Sequence, residues 1–88
     1  MDISFDPVKR AETLRERGLD FLDAPKVFAS RSITADDLRI DYGERRQVTY
    51  GWLDEFAVAV VWVERNGACR VISMRRMHGW EIAHVGLD

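Results

Sequence analysis

Arginine is concentrated near the end of this chain, at Arg65, Arg70, Arg75 and Arg76, and His78 and Glu81 follow within a few residues. A guanidinium keeps its charge at any working pH and donates two parallel bonds that match the oxygens of a phosphate. An imidazole exchanges a proton near neutrality, and a carboxylate can carry a proton or hold an arginine in place. Together these groups could bind a phosphodiester and move protons around it. The same residues also suit ordinary surface duty, each arginine solvating a strand end or pairing with Glu64, Asp54 or Glu55. Glu81 is either a helix-surface residue or the partner of an arginine on the last strand. His78 and His84 have the composition of solvated or capping tail histidines. Trp52, Trp62 and Trp80 could stack on bases, although Trp62 falls in the most apolar stretch and reads as core. Trp80 is placed to cover the sheet or meet a partner. Cys69 has no basic neighbour at a spacing that would activate it, and reads as a small strand residue. No Ser-His-Asp order, glycine-rich phosphate loop or metal-ligand spacing is present in the sequence.

Composition narrows the class. The chain has 88 residues, 47% hydrophobic and 32% charged, which suits a single globular domain over 1–88. Its longest uncharged apolar stretch, Phe56 to Val63, is eight residues, far short of the ~20 that span a bilayer. Without a basic and then apolar leader at Met1 to Asp6, a cytoplasmic location is expected. A single cysteine excludes an internal disulfide, and two histidines argue against a structural metal. The net charge is −2, yet residues 65–88 carry four arginines against Glu81 and Asp88. Any hold on nucleic acid must therefore come from a local arginine cluster rather than the global field.

The elements that must position these groups follow from local pattern. Ile3 to Phe5 reads as a short strand. Asp6-Pro7 starts a helix, with Asp as N-cap and Pro at its first position, and Gly18 ends it. A second helix is expected from Leu19 or Asp20 to about Ala29, starting later or kinked because of Pro25. Ser32-Ile33-Thr34 and Leu38-Arg39-Ile40 read as short edge pieces around an Asp36-Asp37 turn. Arg46 to Trp52 alternates as a half-buried strand, and Leu53-Asp54-Glu55 turns the chain. Phe56 to Glu64 reads as a central strand, Asn66-Gly67 as a hairpin turn and Ala68 to Arg75 as the returning strand. His78 to Leu87 reads as a last short helix. The expected class is α+β: two N-terminal helices on an antiparallel meander, with a short C-terminal helix.

With Asn66 and Gly67 as a two-residue loop, Arg65 faces Ala68, Val63 faces Arg70, Val61 faces Ile72 and Ala59 faces Met74. That register puts Arg65, Arg70 and Arg76 on one face and Arg75 on the other.

The ordered stretches Phe5-Asp6 through Lys9, Leu14 to Gly18 with Phe21, Val27-Phe28, Gly43-Glu44-Arg45-Arg46 with Val48-Thr49 and Gly51, and Arg65 leading to Arg70-Val71-Ile72-Ser73-Met74-Arg75-Arg76 carry a resemblance. The sequence resembles the BrnT family of type II toxin–antitoxin ribonuclease toxins, which are similar in fold to RelE-type toxins. It departs from the family pattern at Thr13 and Arg17, where Asn and His are usual, at Met74, and in its shorter tail. The resemblance implies a metal-independent endoribonuclease that needs no cofactor and inhibits translation. Its partners would be RNA and a BrnA-like antitoxin that itself binds DNA, in a dimer or a higher toxin–antitoxin complex. It further implies attack of a ribose 2′-hydroxyl on the neighbouring phosphorus. Arg75, Arg76, Glu81 and His78 would form the catalytic group, and Arg65, Arg70, Lys9 and Arg45 would hold phosphate. The alternative is a non-catalytic antitoxin-binding module on the same fold with a decayed active site.

Overall fold

A computed structural model describes residues 2–38 and 43–88. Strand β1 (Ile3–Ser4) leads into helix α1 (Pro7–Arg17), a 3-10 turn (Phe21–Asp23) and helix α2 (Ala24–Ala29). Strands β2 (Ile33–Asp36), β3 (Gln47–Leu53), β4 (Phe56–Arg65) and β5 (Ala68–Arg76) follow, and helix α3 (Gly79–Val85) ends the chain. One five-stranded sheet runs in the order β1-β5-β4-β3-β2.

Local chemistry accounts for the boundaries of α1. The Asp6 carboxylate accepts the Val8 N–H at 2.9 Å, Pro7 occupies the first turn, and Gly18 closes the helix at φ 70°. Pro25 falls in the first turn of α2, so the later of the two expected helix starts is the one adopted. Residues Phe21 to Asp23 form instead the 3-10 turn, entered from Asp20, whose side chain accepts the Leu22 N–H. Asn66 and Gly67 have φ of 54° and 77°, as a two-residue hairpin turn requires.

Three expectations are corrected. The sheet is mixed, because β1 pairs parallel to β5 (Ile3 with Cys69, Ser4 with Arg70). The helical cover differs too: α1 buries none of its residues, and the 3-10 turn and short α2 supply Phe21, Ala24 and Val27 to the core. Asp36-Asp37 is not a turn, since Asp36 pairs with Gln47 inside β2 and the Asp37 N–H bonds to the Arg46 carbonyl at 2.9 Å. The expected Leu38-Arg39-Ile40 edge piece lies largely outside the described residues.

The two faces of the sheet carry separate cores. On one, Val58, Val60, Cys69, Val71 and Met74 pack against Leu19, Phe21, Ala24 and Val27. On the other, Val48, Ala57, Ala59 and Val61 pack with Met77 and Leu87, joined by Ile82 and Val85 of the C-terminal segment. Arg31 bonds to the Leu87 carbonyl and so ties the chain end to the loop before β2. Helix α3 thus lies across part of the second face and leaves the rest of it open.

Candidate functional site

The ladder between β4 and β5 begins in the expected register, Arg65 with Ala68 and Val63 with Arg70. It then breaks: Trp62 pairs with Val71 and Val61 with Ser73, so Ile72 is an extra residue in a β-bulge. From there Ala59 pairs with Arg75 and Val58 with Arg76, the reverse of the expected facing. The cause lies in packing. Val71 and Met74, three positions apart, both point into the helix-covered core, and only an inserted residue between them allows this. As a result Arg65, Arg70 and Arg75 share the open face. Arg76 goes to the other side, its guanidinium 4.0 Å from the centre of the Phe56 ring.

Beside Arg75 the open face forms a pocket of about 690 Å³. Val48, Ala59 and Val61 make its floor, with Tyr50 beside them. Asp36 and Asp37 stand in one wall, and Arg75, His78, Trp80 and Glu81 in another. The sharp reversal from β5 to α3 brings the last four residues together. Glu81 Oε1 and Oε2 each accept a bond from Arg75 at 2.8 Å, and Oε1 also accepts the His78 backbone N–H at 2.9 Å. The bonds from Arg75 hold the Glu81 carboxyl down at about 2, against the desolvation of a largely buried side chain. Glu81 is therefore ionised at neutral pH and fixes the orientation of Arg75. Of the two residues considered for proton transfer, Glu81 is buried and only His78 is exposed to solvent. The indole of Trp80, 69% exposed, lies within 8° of parallel to the His78 ring at a 6.4 Å centroid separation.

The remaining candidates are distributed around this centre. Arg70 is half-buried on the open face and forms no ion pair with another described residue. Arg65 pairs with Glu44 at 2.9 Å, and Arg45 pairs at 2.9 Å with Asp36 of the pocket wall. Lys9 is exposed on α1, which contributes nothing to the pocket lining. The structure thus gathers Arg75, His78 and Glu81, places Arg65 and Arg70 on the same face of the sheet, holds Arg45 on Asp36 at the β2 edge, and leaves Lys9 and Arg76 elsewhere. Sequence reasoning missed Tyr50, Asp36 and Asp37 as site residues. Tyr50 was legible only as one position in an alternating strand, and the paired aspartates carried the signature of a turn.

Among the described residues no three His, Cys, Asp or Glu side chains are grouped to hold a metal, and no helix is long and apolar enough to cross a membrane. Cys69 is fully buried, and burial pushes its thiol up to about 11, as suits an inert core residue. A search of the curated proteins finds no match to the chain. A family model described as the ribonuclease toxin, BrnT, of a type II toxin–antitoxin system matches residues 5–81. The chain belongs to the BrnT family. The match runs from Phe5 through Glu81, so it takes in every strand from β2 to β5, the bulge and the His78–Glu81 corner. Membership in BrnT makes the chain a ribonuclease toxin of a toxin–antitoxin system, and such a system implies an antitoxin partner.

Proposed function

We propose that this single toxin domain cleaves RNA on its open face, without a metal ion, and so inhibits translation. One observation carries the reading: the bulge at Ile72 sets Arg75 on the face that already holds Arg65 and Arg70, next to a pocket that His78 lines. In this reaction the ribose 2′-oxygen bonds to phosphorus and the bond from phosphorus to O5′ breaks, leaving a 2′,3′-cyclic phosphate. The 2′-hydroxyl gives up its proton to solvent water as it attacks, the departing O5′ takes one from the protonated His78, and His78 regains its proton from water afterwards. Arg75, held rigid by Glu81, stabilises the charge that builds on the phosphorane, and being fixed beforehand it needs no reorganisation during the step. Arg70 and Arg65 hold phosphates along the strand. A RelE-like fold, a cytoplasmic location and a BrnA-like antitoxin that connects the toxin to DNA, in a dimeric or larger complex, complete the reading.

The ion pairs of Arg65 with Glu44 and Arg75 with Glu81 favour a second reading, in which the face binds the antitoxin and catalyses nothing. Induction of the chain alone separates the two. Growth arrest with RNA cleavage, lost in an Arg75→Ala protein that remains folded at the growth temperature, supports the nuclease. Full expression of folded wild-type protein with intact RNA and no arrest overturns it in favour of the binding module.

A further inference from the structure

Among the described aromatic side chains Trp80 is the most exposed, and the fold makes no use of it. Trp62 packs on the helix-side core and donates its indole N–H to Thr49 Oγ1 at 2.9 Å, and Trp52 packs beside the other core. Trp80 belongs to neither core, and Ile82, Val85 and Leu87 hold the C-terminal segment to the sheet without it. An indole left in water forgoes the burial that normally stabilises so large a ring. Its neighbours are polar. It lines the pocket together with Arg75, His78 and Glu81. The His78 ring lies within 8° of parallel to the indole and the His84 ring is tilted from it by 59°, each with its centroid 6.4 Å away.

Resting on the nuclease reading above, we infer that Trp80 is a stacking platform for the base on the 3′ side of the scissile phosphate, accepting purines and pyrimidines alike. Position carries the assignment. His78 gives its proton to O5′, and O5′ belongs to the nucleotide on the 3′ side. The base of that nucleotide is one ribose away from O5′, and Trp80 is the exposed ring next to His78. Chemistry agrees with position. The hot spot of a protein interface is ringed by contacts that exclude water. Here the indole is bordered by imidazoles and by the Arg75–Glu81 pair, which suits a ligand that brings a π face and a charge together. Every base has a π face, so stacking tolerates sequence and favours the larger purines only modestly. It also adds affinity that salt does not set, unlike the phosphate contacts of Arg65 and Arg70.

Two probes test this without requiring cleavage: a short single strand with 2′-deoxy sugars, and the same strand with abasic sugars throughout. Because Trp80 lies outside both cores, Trp80→Leu should unfold at the same urea midpoint as the unaltered protein. It should bind the base-bearing strand about tenfold more weakly, by the same factor at every salt concentration, so that the slope of log affinity against log salt is unchanged. Both proteins should bind the abasic strand equally, and Trp80→Phe, which keeps a flat ring, should recover most of the lost affinity. Equal binding of the base-bearing strand by Trp80→Leu and the unaltered protein overturns the platform and leaves the ring to a protein partner. An equal loss on the abasic strand, or a changed salt slope, overturns it as well, because the ring then acts through the backbone contacts. Either result in a protein that still arrests growth leaves the nuclease reading standing. A base-dependent loss in a protein that causes no arrest upholds the platform and removes the cleavage.

Discussion

In the proposed reaction Glu81 works on Arg75 rather than on the substrate, and the difference can be measured. Its carboxyl sits at about 2, below the ordinary 4.5, chiefly because Arg75 donates to both oxygens. A carboxyl lowered by folding contributes stability that is complete above the unfolded value and is lost as pH falls toward the folded one. The protein should therefore lose about 1–2 kcal/mol from this group between pH 5 and 2, a figure reduced because Arg75 is partly in solvent. Urea unfolding at a series of pH values should show that Glu81→Gln is less stable at pH 7 and has a shallower acid limb. An identical limb in both proteins would remove the bond from the account. In RNA cleavage the same variant should lower turnover about tenfold or more, with KM little changed, because the guanidinium remains but its orientation is no longer held. Cys69 provides an independent probe of folding. Its buried thiol should resist a thiol reagent in native protein and react promptly in denaturant, and rapid native labelling would contradict its burial.

Among the elements, β3 and α2 approach each other closely at Gly51. A Cβ there would lie 2.7 Å from Ser30 Oγ and 2.9 Å from the Val27 carbonyl. The Ser30 hydroxyl in turn donates to Val27 O and accepts the Trp52 N–H, joining the helix end to the strand. Gly51→Ala should therefore cost about 1–3 kcal/mol by overpacking, seen as a lower urea midpoint with an unchanged slope. A neutral substitution would show that the contact yields easily. Much at this scale was legible in the sequence, because caps and turns act locally: Asp6-Pro7, Gly18 and Asn66-Gly67 each meet their conformational demand within a few residues. The bulge was not legible. Val71, Ile72 and Met74 break the two-residue alternation, but where a strand gains its extra residue depends on which side chains the opposing core accepts. That core comes from Phe21, Ala24 and Val27, far away in sequence. The facing of Arg75 and Arg76 inverted for this reason. The parallel pairing of β1 escaped for a similar one, since two residues carry too little pattern to name a partner across the chain.

Across the whole molecule, an acidic protein with a net charge of −2 that acts as proposed must hold RNA by one side only. The sheet makes this possible because its two faces have separate cores: helix-covered Phe21, Val58 and Met74 on one, and a partly open surface bearing Arg65, Arg70 and Arg75 on the other. Exposed cations are not equivalent under this arrangement. Lys9 on α1 and Arg76 over Phe56 should contribute little to RNA affinity, whereas Arg65 and Arg70 should each neutralise a phosphate. Each phosphate contact on a single strand adds about 0.7 to the slope of log affinity against log salt. Arg65→Gln with Arg70→Gln should accordingly flatten that slope by about 1.4, while Lys9→Gln leaves it unchanged. Binding to a non-cleavable RNA carrying 2′-deoxy positions, titrated over a range of salt concentrations, provides the slopes. Equal effects from Lys9 and from the β4–β5 arginines would mean that the field of the whole surface, rather than the open face, holds the strand.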